Sequence, residues 1–215
     1  WAMKMLVYSD LHHDLHRFAL KPDAAFMDGI DVVVLAGDIA EGMKGLRWAR
    51  DTFPDTAIVY VDGNHEFYGQ HWDKHLDAMR TRAAEYGIHY LENDSVTIGG
   101  VRFLGCTLWT DYALEGAEFT LDVMNEARRG MNDFRYIKIT PSFEMASRHK
   151  HRVFPAMMAR RHGASREWLE EQLSQSEAQR TVVVTHHAPH PSSIPAHFAY
   201  HPLSPCYASD LTALM

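Results

Sequence analysis

The residue types best suited to chemistry fall in three short segments, Asp10-Leu11-His12, Gly37-Asp38 and Gly63-Asn64-His65-Glu66. Counted from Asp10 to Asp38 and from Asp38 to Asn64, their spacing is 28 and 26 positions. Each follows an apolar run with the look of a strand, and open α/β sheets place their ligands at strand C-terminal ends. In extended backbone Asp10 and His12 point to one side and can grip one cation together. Asp38 follows a glycine that lets the chain turn off its strand, and its two oxygens can each take a different metal ion. Asn64 offers a carbonyl oxygen. A fourth run, Arg180–Thr185, leads straight into His186-His187, either of which can point to the same place while the other packs away.

Mixed nitrogen and oxygen ligation of this kind suits Mn²⁺, Fe, Zn²⁺, Co²⁺ or Ni²⁺ better than a soft, thiophilic metal. Two such ions about 3.5–4 Å apart would polarise a bridging water towards hydroxide and clamp phosphoryl oxygens through an in-line displacement. His65 need not bind metal. It can hydrogen-bond the phosphoryl oxygen or protonate the leaving alkoxide, typically worth ~10²–10⁴-fold. Asp14 or Glu66 can orient a histidine through its second ring nitrogen.

Positioning these groups requires a particular order of elements. Residues 4–8, 31–36 and 57–61 are continuous β-branched runs, as expected of parallel strands buried on both faces. Between them, residues 42–53 and 72–86 carry apolar side chains at helical spacing, with Gly87 as a C-cap. Right-handed crossovers then bring all three loops to one edge. From Ile88 the texture changes to short strands over 88–91, 95–98 and 101–108, the last two joined by a Gly99-Gly100 hairpin, and a second sheet packed on the first is expected. Residues 114–129 read as a helix. Residues 141–174 read as helical with a break near Pro155, then a segment N-capped by Ser165 that buries Trp168, Leu169 and Leu173. The Pro/His-rich stretch 189–205 argues against regular structure, and residues 210–215 read as the start of a helix. His71 and His75, four apart on a helix, lack the acidic partner of His-Glu-x-x-His and read as surface residues. Residues 109–111 and 132–134 fall in loops able to reach the active edge, with no chemistry assigned to them.

Asp-x-His, Gly-Asp, Gly-Asn-His-Glu and a strand ending in His, in that order and spacing, resemble the calcineurin-like metallophosphoesterase superfamily over roughly residues 4–190. The ordered set is specific, whereas a single Gly-Asp is nearly worthless. The resemblance implies an α/β fold, a four-layer αββα sandwich of two mixed sheets flanked by helices, with a dinuclear metal centre at one edge. It implies Asp10 and His12 on the first ion, Asp38 bridging, Asn64 and His186 on the second, and His65 as the catalytic residue. The family's closing Gly-His-x-His loop does not occur before Met215, so the expectation is a single metallophosphoesterase domain over 1–215 lacking its C-terminal part, with Trp1-Ala2 a cloning remnant. The rival expectation is a non-catalytic relative that keeps the sandwich as a binding or scaffold protein.

Composition narrows the partners. The 215 residues are 46% hydrophobic and 23% charged, ordinary for a globular protein. With 21 Lys and Arg against 28 Asp and Glu, the net charge of −7 gives no footprint for nucleic acid or an anionic membrane. A small phosphate ester is the expected substrate. Two distant cysteines in no CxxC pattern point to a reducing cytoplasm. No run approaches the ~20 apolar residues of a membrane span. The absence of Gly-x-Ser-x-Gly, a P-loop or Gly-x-Gly-x-x-Gly disfavours an α/β-hydrolase or a nucleotide-cofactor protein.

Overall fold

A computed structural model describes residues 2–15, 20, 22–140, 151–175 and 180–214. Strand β1 (Met5–Tyr8) is followed by the short helix α1 (Ala24–Met27), β2 (Val32–Ala36), α2 (Lys44–Thr52), β3 (Ala57–Val61), α3 (Trp72–Glu85) and β4 (His89–Tyr90). These four strands form one sheet in the order β1-β2-β3-β4, parallel throughout. The hairpin β5 (Asp94–Ile98) and β6 (Val101–Cys106) follows, then α4 (Thr120–Gly130), α5 (Asp133–Tyr136), α6 (Pro155–Ser174) and β7 (Thr181–Thr185). The second sheet, β5-β6-β7, pairs β5 antiparallel and β7 parallel to β6. Gly99 and Gly100 both take positive φ at the hairpin, as a tight two-residue turn requires.

The period-two alternation of β2 and β3 builds the layers. Val32, Val34, Val59 and Val61 face the second sheet and pack with Val101, Phe103 and Val184. Val33, Leu35, Ile58 and Tyr60 face outward onto Leu46, Ala49 and Phe53 around α2 and Met79 and Ala83 of α3. On the far side, Leu104 and Cys106 of β6 meet Leu169 of α6. Helices, sheet, sheet and helix thus make four layers, and both strand faces are buried, which is why the runs read as continuously apolar.

Polar ties join the layers at the strand ends. Glu92, after β4, accepts from Thr107 N at 2.8 Å and Thr107 Oγ1 at 2.7 Å, beyond β6. Asp62, after β3, accepts from Tyr90 OH at 2.6 Å and lies 3.0 Å from His75 Nε2 on α3.

Several expectations are corrected. The first sheet is purely parallel rather than mixed, and residues 88–91 reduce to a two-residue strand that extends this sheet, since β4 pairs with β3. Residues 101–108 leave the sheet after Cys106, where Leu108 and Trp109 turn to positive φ. The helix expected over 114–129 starts only at Thr120, after a 3-10 turn at Ala117–Phe119. Helix α6 opens on Pro155, an N-terminal position where a missing N–H costs nothing, and runs unbroken through Ser165, which is buried inside it rather than capping it. The expected helical residues 141–150 lie outside those described. His75 is 3% exposed, a core histidine and not a surface one, because Asp62 satisfies its ring. Three 3-10 turns, Pro191–Ser193, Ala196–Phe198 and Ser204–Cys206, shape the Pro/His-rich stretch. Residues 212–214 form a turn, not a helix.

Candidate metal centre

The C-terminal ends of β1, β2 and β3 converge because the loops continue the sheet's pairing past its last strand residue. Asp10 N donates to Gly37 O, His12 N to Asp38 O and His13 N to Ile39 O, each at 3.0 Å. Asp10, His12 and Asp38 all adopt left-handed backbone, with φ of 54°, 45° and 55°. The expectation that extended alternation aims Asp10 and His12 is therefore corrected: a left-handed turn aims them, a conformation Asp and His tolerate better than most residues. Gly37 and Gly63 leave room for this approach. A Cβ on Gly63 would collide with Asp38 Oδ1 and with Asp38 N, and one on Gly37 with the His186 ring and Gly63 N.

Glu66 ties the loops together instead of orienting a histidine. Its carboxylate accepts from Asp38 N at 2.9 Å, Ile39 N at 2.9 Å, Gly63 N at 2.8 Å and Tyr60 OH at 2.8 Å. Burial, with Asp38 and Asp62 nearby, pushes its carboxyl up to about 7 against those donors. Asp14 reaches His13 and His65 through its charge.

Asp38 is the hub. It is 4% exposed, and Oδ1 accepts from His65 N at 2.9 Å. His186 Nε2 lies 3.5 Å from Oδ1, while His12 Nε2 and His65 Nε2 lie 3.7 Å and 3.9 Å from Oδ2. The ligand atoms of His12, Asp38 and His65 all fall within 4.8 Å of one another, and so do those of Asp10, Asp38 and His186. Two potential ligand triangles therefore share one carboxylate, and His65 stands in one of them. Asn64 Oδ1 lies 3.2 Å from His186 Nε2, so the five sequence-nominated ligand candidates and His65 gather at one place. The two adjacent histidines separate: His186 faces Asp38 with its Nδ1 at 2.9 Å from Ala36 O, whereas His187 is buried against Thr107 O and the Trp109 ring.

Asp133, to which the sequence assigned no chemistry, completes the arrangement. It is buried on α5 and its Oδ1 accepts from Asn64 Nδ2 at 2.9 Å and from Tyr68 OH at 2.8 Å. The amide nitrogen is thereby turned away, leaving Oδ1 of Asn64 towards His186. Tyr68 in turn stacks on His65, ring centroids 4.3 Å apart.

The donor set fits cations. Burial pushes the Asp38 carboxyl up to about 8, and the charges of Asp10, Asp133 and Asp14 add to that rise. Burial, then the neighbouring His12, holds His65 down to about 4. Metal binds the ionised carboxylate and the neutral imidazole, so a cation here would relieve the cost that burial puts on the Asp38 charge and would find the His65 ring already neutral. His12 Nδ1 and His65 Nδ1 are buried without a hydrogen-bond partner among the described residues.

Comparison with known proteins points the same way. The model of the calcineurin-like phosphoesterase family matches residues 3–211. No curated protein matches the sequence. A solved structure, a phosphopantetheinyl hydrolase from Mycobacterium tuberculosis, is similar over 96% of this chain and 76% of its own, with a TM-score of 0.63 and 22% identity, a likeness of fold.

Proposed function

The chain belongs to the calcineurin-like phosphoesterase family, and from that premise we propose that it hydrolyses a small phosphate monoester or diester at a centre of two divalent ions bridged by Asp38. The observation that carries this reading is the pair of ligand triangles meeting at one buried carboxylate. On the family resemblance Asp10 and His12 would hold one ion and Asn64 and His186 the other, although the triangles themselves group His12 with His65 and Asp10 with His186 about Asp38. Mn, Fe, Zn, Co or Ni would suit this mixed set. When bound, such ions supply positive charge to the phosphoryl oxygens and acidify water at neutral pH.

The protein's own groups then have distinct tasks. His186, its Nδ1 taken up by the Ala36 carbonyl, presents Nε2 in a fixed tautomer. His65, neutral at rest, donates an N–H hydrogen bond to the phosphoryl group, and a dianionic substrate raises its basicity towards proton transfer to the leaving oxygen. Two free, buried cysteines fit a reducing compartment such as the cytoplasm. No described helix is long and apolar enough to cross a membrane.

The test is hydrolysis of p-nitrophenyl phosphate and bis-p-nitrophenyl phosphate with Mn²⁺ by the parent, Asp38→Ala and His65→Ala. We expect kcat to fall by roughly 10²-fold or more in both variants. Mass spectrometry of bound metal should record loss in Asp38→Ala and retention in His65→Ala. Equal rates in parent and variants would overturn the proposal.

A further inference from the structure

A cavity of about 360 Å³ is formed by the segment that follows His186 and His187. Its wall is apolar: Ala188, Ile194, Phe198, Leu203 and Tyr207 supply most of it. The chain here is shaped by the three 3-10 turns and pinned on both sides, because Ala188 N donates to Tyr207 O at 2.9 Å and Ser209 N to Ala188 O at 3.0 Å. Two polar groups of the lining serve this framework. Ser204 Oγ donates to Phe198 O at 2.6 Å, and His201 Nδ1 accepts from Leu203 N at 3.2 Å. A preformed hollow of this size, with few polar groups left to offer, matches an apolar ligand fragment.

Two further observations indicate what occupies it. Ala188 is two residues from His186, and Tyr207 lies close enough to Asp133 and Asp38 that their charges join burial in raising its phenol. The hollow therefore lies beside the strand end that carries His186, with Ala188 as the link between them. Two of its lining side chains are large, apolar and exposed, Phe198 at 48% and Tyr207 at 53%, a grouping of the kind that marks ligand sites. The lining contains neither Lys nor Arg, so nothing there matches a second phosphate.

We infer that this cavity is the subsite for the leaving group, and that the substrate is an ester of a single phosphate whose alcohol carries an aromatic or short aliphatic apolar group. The inference rests on the phosphoesterase reading and names its substrate class. In the reaction the bond between phosphorus and the ester oxygen breaks, water's oxygen joins phosphorus, and one proton of that water leaves with the ester oxygen as the free alcohol. The alcohol's apolar part stays in contact with Phe198 and Ile194 throughout.

The experiment compares 3-phenylpropyl phosphate with n-propyl phosphate, whose alcohols are close in intrinsic reactivity, on the Mn²⁺-loaded protein. We expect kcat/KM to favour the phenyl ester by roughly ten- to a hundred-fold. In Phe198→Ala and Ile194→Ala the ratio should move towards one. Equal kcat/KM for the two esters in the parent would overturn the subsite while leaving the phosphoesterase reading intact. Hydrolysis of neither ester would count against that reading, and the cavity is then judged by titrating 3-phenylpropanol alone. Saturable shifts of the Phe198 and Tyr207 ring resonances support the subsite, and none overturns it. A concentration-dependent dimer that Phe198→Ala dissolves would also overturn it, since a second copy would then fill the hollow.

Discussion

Asn64 takes its orientation from a residue 69 positions away. Because Asp133 Oδ1 receives both the Asn64 amide and the Tyr68 hydroxyl, one carboxylate fixes a candidate ligand and the tyrosine that stacks on His65. Removing such an outer partner typically costs 10–100-fold in metal affinity. Asp133→Ala should therefore weaken Mn²⁺ binding, measured by isothermal titration, by that order. Asp133→Asn, which keeps an acceptor oxygen, should recover most of it. Unchanged affinity in Asp133→Ala would show that Asn64 holds its place unaided. Asp10, His12, Asp38, Asn64 and His186, which the structure gathers, were legible in the sequence as ligand candidates because residues at strand ends follow buried β-branched runs. Asp133 had no such herald: it sits on a four-residue helix in an unrelated stretch, and only the reach of residues 132–134 to the active edge marked it. His75 was misread for the converse reason, since its partner Asp62 lies on another element and leaves no periodic trace.

Among the elements, β1, β2 and β3 and the helices α2 and α3 were readable because each keeps its pattern over at least four residues. The short strand β4 was not. Two residues carry no period, and its attachment to β3 is decided by where α3 delivers the chain. Where β4 and β6 end, Glu92 bonds Thr107, and burial pushes that carboxyl from 4.5 up to about 7 despite the two hydrogen bonds. The folded state therefore holds a proton that the unfolded chain releases near 4.5. The stabilisation linked to that proton is complete below about pH 4.5 and is lost as pH rises through about 7. Its size is on the order of 3 kcal/mol. Glu92→Gln keeps an oxygen for Thr107 and has nothing to titrate. Urea midpoints at pH 4.5 and pH 7.5 should converge more closely in this variant than in the parent. A pH dependence identical in the two would remove Glu92 from the linkage.

At the scale of the whole molecule, the sandwich was legible as two successive textures, a βαβαβ run and then a set of short strands. That the first sheet is purely parallel follows from its crossover helices, since no hairpin interrupts them. A metal centre at its edge makes stability depend on metal by mass action, with ~2.7 kcal/mol expected at a hundredfold excess over Kd. Mn²⁺ should raise the thermal midpoint of the parent, and a chelator should return it. A midpoint indifferent to both would argue against a preformed centre.

His186 enters from the second sheet, yet its ring rests on the carbonyl of Ala36 at the tip of the first. Its contact with Asp38 closes the same span. The candidate edge is thus a seam, complete only once both halves of the sandwich have docked. An ion seated there would act as a clasp across it, so docking of the two sheets and retention of metal would both depend on the same imidazole.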